Sequence, residues 1–266
     1  MTVIEKTDIA NFLDLAGDYL SGGFRRPHAE YIFTDTAETA AETAAETIPE
    51  NSCINNRAGL LKELAREIAC CRNCGLCNTR TNTVTGEGVL SPLVMVIGEG
   101  PGEDEDATGQ PFVGRAGQLL DRMLDSRGKI GLSRTTNCYI ANILKCRPPG
   151  NRNPEQNEIS ACVPFLVRQI QILEPKIILA AGNTAAKTLL DSTEGITRLR
   201  GAFTVFKGTF LMNGNFNIPL LPTFHPSALL RDESLKGPVW EDMKTLRNKL
   251  CVLDIDYAKR MADIPL

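Results

Sequence analysis

The chain has 266 residues, 42% hydrophobic and 23% charged, with a formal net charge of −3, which fits a globular protein of one large domain with or without an appendage. It contains no run of about 18 apolar residues that could span a membrane, and charged residues interrupt its N-terminus where a signal peptide needs an apolar stretch. We therefore expect a cytoplasmic protein that contacts no membrane, whose nine cysteines are metal ligands or core residues rather than disulfides.

The charge is unevenly distributed along the chain. Residues 1–57 carry ten acids against four bases, whereas the remainder carries 22 acids against 25 bases. The overall negative charge therefore comes from the N-terminal segment, and the rest of the chain has a small positive net charge. That charge permits a polyanionic partner but does not require one.

The N-terminal segment is predicted to be an extension followed by a linker. Apolar residues repeat at helical spacing over residues 4–20, which predicts a short amphipathic helix within an extension spanning residues 1–33. The ETAA repeats of residues 34–56 carry too few bulky apolar side chains to be held by burial, which predicts a disordered linker. The extension is interpreted either as a poorly ordered tail or as a peptide that docks a repair or replication partner through Phe12 and Leu13.

The body of the chain, predicted as residues 57–252 with a C-terminal tail at 253–266, alternates apolar strands with helices. Near-continuous apolar runs predict strands at 93–97, 138–143, 176–181 and 218–224, and a hairpin-like stretch covers 202–212. Helical patterns separate these strands, which indicates a parallel sheet covered on both faces. The predicted fold is an α/β class three-layer α/β/α sandwich with a central, mainly parallel four-stranded sheet, and its site should lie beyond the carboxyl ends of the strands.

Several residues whose side chains could bind a ligand or take part in catalysis follow these strand ends. The glycine-rich acidic loop GEGPGEDED begins at Gly98, and it is neither a P-loop nor a dinucleotide loop, because its acids would repel a phosphate. Glycines permit close approach and unusual dihedrals. Asn142 ends the second strand, His225 follows the last one, and Phe112 lies shortly after the acidic loop. Each has a structural alternative, as a loop acid, cap, brace or core residue, but their shared position favours one site.

Four of the cysteines form two distant pairs. Cys71 and Cys74 make a C-x2-C step, and Cys146 and Cys162 flank a proline- and asparagine-rich segment. A four-thiolate set holds either a tetrahedral zinc or an iron–sulfur cluster, and the spacing alone leaves both open. A competing ferredoxin-like run through Cys77 lacks its expected further cysteine, so Cys77 and its neighbour Cys70 are set aside.

The motifs GEGPGEDED, TGQPFVGRAGQLL, YIANILKCRPPGNRNP and FHPSALLR, with C-x2-C upstream, resemble the family 4 uracil-DNA glycosylases, the iron–sulfur type. The resemblance covers about residues 60–250, with the motifs agreeing in order and spacing. It implies a [4Fe–4S] cluster on Cys71, Cys74, Cys146 and Cys162. A related type that becomes bound covalently to DNA carries a basic insert that is absent here, so the resemblance favours a hydrolase.

The resemblance also implies a role for each candidate residue in base excision repair. The substrate would be uracil in single- or double-stranded DNA, acted on by a monomer that flips the base out of the stack. Glu99 and His225 would be catalytic. The uracil-binding set would be Gly98, Glu99, Gly100, Phe112, Asn142 and His225. The DNA-binding set would be Ser227, Leu229, Leu230 and Arg231, with the leucines as wedges and the arginine on a phosphate.

Three other functional classes stay open at this point. The chain could be a glycosylase of the same fold for hypoxanthine or mismatched thymine, because the shape of the base pocket is not visible in a sequence. It could instead be a non-catalytic iron–sulfur module that binds nucleic acid, or an electron carrier. A single cluster beside base-pocket motifs argues against the carrier.

Overall fold

The computed structural model describes residues 50–125, 128–206, 208 and 216–266, with side chains from Asn56 onwards. The predicted N-terminal helix and most of the predicted linker lie outside these described residues. The first described helix begins at Glu50, inside the range assigned to the linker. Among the described residues, no helix is both long enough and apolar enough to cross a membrane.

A six-stranded sheet forms the centre of the domain, in the order β1-β3-β2-β4-β6-β5. The four inner strands are parallel, as the apolar runs predict, and every residue of three of them is buried. Two short antiparallel strands, not included in the predicted four, extend the edges. The strands are β1 Glu87–Gly88, β2 Val94–Gly98, β3 Cys138–Asn142, β4 Ile177–Ala181, β5 Thr204–Phe206 and β6 Ile218–Thr223.

Helices cover both faces of the sheet and give the predicted three layers. Helices α4 and α5 pack on one face, and α3, α7, α8 and α9 pack on the other. The helices are α1 Glu50–Cys70, α2 Glu103–Thr108, α3 Arg115–Asp125, α4 Gln156–Leu173, α5 Asn183–Leu190, α6 Ile196–Leu199, α7 Pro226–Arg231, α8 Lys236–Leu253 and α9 Ile255–Met261. The fold class is confirmed. The first half of the hairpin-like stretch forms β5, and most of the rest lies outside the described residues.

Both ends of the described chain are tied to this sandwich. Arg57 of α1 donates to the carbonyl oxygens of Leu90 and Leu173, at 3.3 and 3.2 Å, and buried Leu64 and Ile68 lie further along the same helix. At the other end, the predicted C-terminal tail contains α9, whose Tyr257 is fully buried. Folded structure therefore extends past both ends of the predicted domain.

Candidate active site

The carboxyl ends of the four parallel strands open into one cleft of about 810 Å³. The sheet register places Gly98 beside Asn142 and Ala181 beside Thr223, so the segments that follow these residues meet at the same edge. Glu99, Gly100, Phe112, Asn142, His225, Ser227 and Arg231 all line the cleft. The structure therefore brings together the residues that the sequence predicts for the base pocket. A second groove, of about 630 Å³, lies between α4 and α5 and holds none of them.

Asn142 carries an unused hydrogen-bonding group at the floor of the cleft. Its side chain is 2% exposed, and its Oδ1 atom is the only buried side-chain oxygen or nitrogen without a hydrogen-bond partner in the part of the chain that the structure describes. Buried acceptors are almost always paired, so an unpaired one beside a cleft indicates a ligand that supplies the missing donor.

Gly98 makes room for this amide. A Cβ atom at position 98 would lie 2.5 Å from Oδ1 of Asn142 and 2.6 Å from Cζ of Phe112, closer than real Cβ atoms approach. The three glycines of the loop do not adopt positive φ, so the expectation of unusual dihedrals there is wrong. Glycine is required at position 98 because the Asn142 amide and the Phe112 ring, two groups of the pocket, pack directly against it.

Phe112 forms a wall of the cleft in a strained backbone conformation. Its φ is 53°, in the left-handed region that bulky residues rarely adopt. Arg134 Nη2 donates to its carbonyl oxygen at 3.0 Å, and Gly117 packs so closely that a Cβ there would lie 1.8 Å from that oxygen. The ring is 5% exposed, and its centroid lies 5.5 Å from that of His225. Phe112 is therefore both a core residue and a cleft residue.

His225 is held as a neutral donor. It caps the N-terminus of α7, and its Nδ1 accepts from the backbone N–H of Ser227 at 3.2 Å. Burial, aided by the positive charge of Arg231, lowers the pKa of His225 to about 4. With Nδ1 used as an acceptor, the proton of the neutral ring resides on Nε2.

Glu99 is oriented by a residue that the sequence does not mark. Oγ1 of Thr184, at the start of α5, donates to Glu99 Oε2 at 2.5 Å. The backbone carbonyl of Glu99 accepts from Leu144 N–H at 3.0 Å, which extends the β2–β3 pairing past the strand end. Sequence reasoning missed Thr184, whose only signal is its position shortly after the third predicted strand, at a helix start.

Two further acids of the loop, Glu105 and Asp106, hold the local backbone in place through hydrogen bonds. Glu105 accepts from the backbone N–H groups of Gly102, Val113 and Gly114, at 2.9–3.0 Å. Asp106, which is 4% exposed, accepts from the N–H groups of Thr81 and Asn82. The available signal for Glu105 was its position three residues after Gly102, from which a carboxylate at the third helical position reaches back to the N-cap N–H.

The predicted DNA-binding residues divide between the surface and the core. Leu230 is 40% exposed, whereas Leu229 is 2% exposed and packs in the core beneath the cleft. Leu229 is therefore corrected from a wedge to a core residue, because α7 turns by about 100° per residue and its packing buries Leu229 while leaving Leu230 at the surface. Ser227 is engaged with His225, at 2.8 Å between Oγ and Nδ1.

The two cysteine pairs meet at one cavity lined by the end of α1 and the segment after it, the loop after β3, and α4. Cys71, Cys74, Cys146 and Cys162 all line it, and so does Cys77, whereas Cys70 is exposed. Arg80 Nη1 donates to Sγ of Cys146, and Lys145 N–H donates to Sγ of Cys162, both at 3.2 Å. In the described residues, no three ligating side chains converge at the spacing that a single metal ion requires.

Known proteins match most of this domain. The model of the Uracil DNA glycosylase superfamily matches residues 85–244. The Type-4 uracil-DNA glycosylase of Sulfurisphaera tokodaii is 41% identical over 191 residues, covering 70% of this chain and 83% of the relative. The Type-4 uracil-DNA glycosylase of Thermotoga maritima is 41% identical over 195 residues, covering 72% and 95%. That of Saccharolobus solfataricus is 40% identical over 191 residues, covering 70% and 85%.

Proposed function

Since the chain belongs to the type-4 uracil-DNA glycosylases, we propose that it hydrolyses the N-glycosidic bond of deoxyuridine in DNA, releasing uracil and leaving an abasic site. The observation that carries this proposal is the unpaired Oδ1 atom of Asn142, buried beside the Phe112 ring. A flipped base would enter the cleft between them.

Uracil is recognised by one side-chain amide. N3–H of uracil donates to Oδ1 of Asn142, which supplies the missing donor, and the amide N–H donates to O4. Cytosine presents an acceptor and a donor at the same two positions, so both contacts reverse. A buried site built for one hydrogen-bonding pattern rejects the other strongly, because its polar groups are left unpaired. Phe112 provides the surface on which the base stacks.

His225 stabilises the leaving group. As the glycosidic bond breaks, negative charge moves onto the uracil ring and positive charge onto the sugar. The Nε2–H group of the neutral imidazole donates to uracil O2, and backbone N–H groups of the Gly98–Gly100 loop add to this stabilisation. The lowered pKa of His225 supports a neutral donor at physiological pH.

Glu99 serves the opposite side of the bond. Thr184 occupies Oε2, which leaves Oε1 to orient a water toward the anomeric carbon. The fixed carboxylate also faces the positive charge that develops on the sugar. Leu230 fills the gap left in the stack, and Arg231, with Ser227 beside it, contacts the DNA backbone.

The four cysteines Cys71, Cys74, Cys146 and Cys162 line one shared cavity and would hold a [4Fe–4S] cluster there. A four-thiolate set binds either zinc or such a cluster, and the resemblance to the iron–sulfur type of glycosylase supports the cluster. Once bound, the cluster would cross-link the end of α1, the loop after β3 and α4, and no proton or bond-breaking step passes through it.

We also propose that the protein acts as a cytoplasmic monomer, with residues 1–33 available to a repair or replication partner. The Phe12 and Leu13 pair of the predicted N-terminal helix supports contact with such a partner. Size-exclusion chromatography, and uracil release by a variant lacking residues 1–33, test the two statements. A dimer, or a variant that loses activity on oligonucleotides, would contradict them.

The deciding experiment is base release from oligonucleotides. Single- and double-stranded substrates carrying uracil, hypoxanthine or a G·T mismatch are incubated with the purified protein, and alkali-labile breaks are counted. We expect breaks at uracil and an intact cytosine control. Breaks only at hypoxanthine or thymine would establish a different base specificity, and binding without breaks would establish a non-catalytic module. Iron analysis with visible absorption distinguishes a cluster from zinc.

A further inference from the structure

A buried lysine stands between the cysteine cavity and the base pocket. Lys145 is 1% exposed and follows β3 in the loop that leads to Cys146. Its Nζ donates to the backbone carbonyl of Asn142 at 2.8 Å and to Oε1 of Gln169 at 2.7 Å. In the described part of the chain, no carboxylate forms an ion pair with this ammonium group.

Lys145 and Gln169 bind two backbone carbonyls that the next residue pair of the β1–β3 ladder would otherwise use. In the β1–β3 pair, Glu87 lies opposite Ile140 and Gly88 opposite Tyr139, so the same antiparallel register places Thr85 opposite Asn142. The strand pairing stops before that position. Instead, Lys145 takes the carbonyl of Asn142 while Gln169 Nε2 donates to the carbonyl of Thr85 at 2.7 Å. The two side chains join across the gap through their own hydrogen bond.

A buried cation is an expensive way to pair one carbonyl oxygen. Burial disfavours the ammonium group, and the neighbouring sulfur atoms of Cys162 and Cys146 offset this only in part. The hydrogen bond to the Asn142 carbonyl is explained if the position of that carbonyl matters for something other than stability. The same residue carries the unpaired Oδ1 atom at the floor of the cleft. Fixing its backbone fixes where the amide points.

We propose that Lys145, braced by Gln169, is a positioning residue that holds Asn142 at the geometry for reading uracil. The inference rests on the proposed function of the cleft. Lys145 also anchors its own backbone, because its N–H donates to Sγ of Cys162 at 3.2 Å and its carbonyl accepts from Val84 N–H at 2.8 Å. The brace is therefore fixed to the same cysteine cavity that ties α4 to the sheet.

The test is the binding of free uracil, which a general structural defect would not change selectively. Lys145→Met keeps the volume and removes the donor. We expect the inhibition constant of uracil in the cleavage assay to rise about tenfold, as for the loss of one hydrogen bond. Affinity for DNA carrying an abasic site should stay within about twofold, because Leu230 and Arg231 are untouched.

Two further variants keep the test decisive. Gln169→Leu retains the lysine but removes its brace, and it should raise the same constant by a smaller factor; it alone decides the matter if Lys145→Met does not fold. Arg80→Met removes a donor to Cys146 with no contact to Asn142, and it should leave uracil inhibition unchanged. Visible absorption establishes that each variant retains its cluster.

The outcomes separate this inference from the proposed function. A wild-type protein that releases no uracil would overturn the proposed function. An active wild type whose Lys145→Met and Gln169→Leu variants are inhibited by uracil as strongly as the parent would overturn the positioning role alone. Parallel loss of uracil and abasic-DNA binding would also overturn it, since the effect would then be general.

Discussion

Replacing Asn142 with leucine should make the folded protein more stable and nearly inactive. The Oδ1 atom of this buried side chain has no partner, and leaving a buried acceptor unpaired costs about 1–3 kcal/mol. Leucine has a similar shape and no such atom, so the cost is removed. A gain of about 1 kcal/mol would raise the thermal midpoint by roughly 2–4 °C in a domain of this size. Uracil release should fall by about 10²-fold, as two hydrogen bonds to the base are lost.

The residue just before the same strand supplies a matched control. Asn137 lies just before β3, is 5% exposed and is fully paired, because Oδ1 accepts from Ser133 N–H at 2.8 Å and Nδ2 donates to Gly131 O at 2.9 Å. Asn137→Leu leaves both backbone groups without a partner and should lower stability by about 2–4 kcal/mol.

Calorimetric scans at one scan rate, with single-turnover uracil release from a single-stranded oligonucleotide, measure both effects. We expect shifts of opposite sign in the two midpoints. If Asn142→Leu lowered the midpoint as Asn137→Leu does, the amide oxygen would be paired in solution, and the argument from an unused acceptor would fail. If release were unchanged, the base would be read elsewhere.

Four other predictions concern the cleft. His225→Ala should slow uracil release about 10²–10³-fold. Because burial lowers the pKa of His225 to about 4, this ring should contribute no inflection to the wild-type pH–rate profile between about pH 5 and 8. A wild-type inflection near pH 6.5 that the variant lacks would contradict this. Thr184→Val should lower the single-turnover rate without changing DNA affinity, and Thr184→Ser should restore the rate; equal rates in all three proteins would remove Thr184 from the mechanism. Gly98→Ala should weaken inhibition by free uracil, since its Cβ would displace the amide or the ring; inhibition as strong as in the wild type would refute the crowding. Leu230→Ala should slow uracil release from double-stranded DNA more than from single-stranded DNA. Leu229→Ala should mainly lower the free energy of unfolding, by about 2–5 kcal/mol, and with it the thermal midpoint. The reverse pattern would restore Leu229 as the wedge.

The sequence predicts the central sheet well because its four inner strands are buried on both faces and are therefore apolar throughout. The two edge strands have two and three residues, too few for any periodic signal. On α7, neighbouring leucines look alike in the sequence, and only the packing of the helix separates core Leu229 from exposed Leu230.

The candidate site shows the same division. The residues proposed to touch the base follow strand ends, and the rule for parallel sheets places them together. The residues that orient them do not follow such a rule. Thr184 lies 85 positions from Glu99, and Gln169 lies 84 positions from Thr85, so these contacts exist only once the chain has folded.

The tight packing of Gly117 against the backbone of Phe112 has a consequence for engineering base specificity. Gly117 belongs to α3 and is buried, and it is not among the residues that line the cleft. Even one added methyl group there would collide with the carbonyl of Phe112 and shift the ring that forms the wall of the pocket. A mutant library restricted to visible pocket positions would omit this site, although it is a direct means of tilting the stacking surface without altering any group that contacts the substrate.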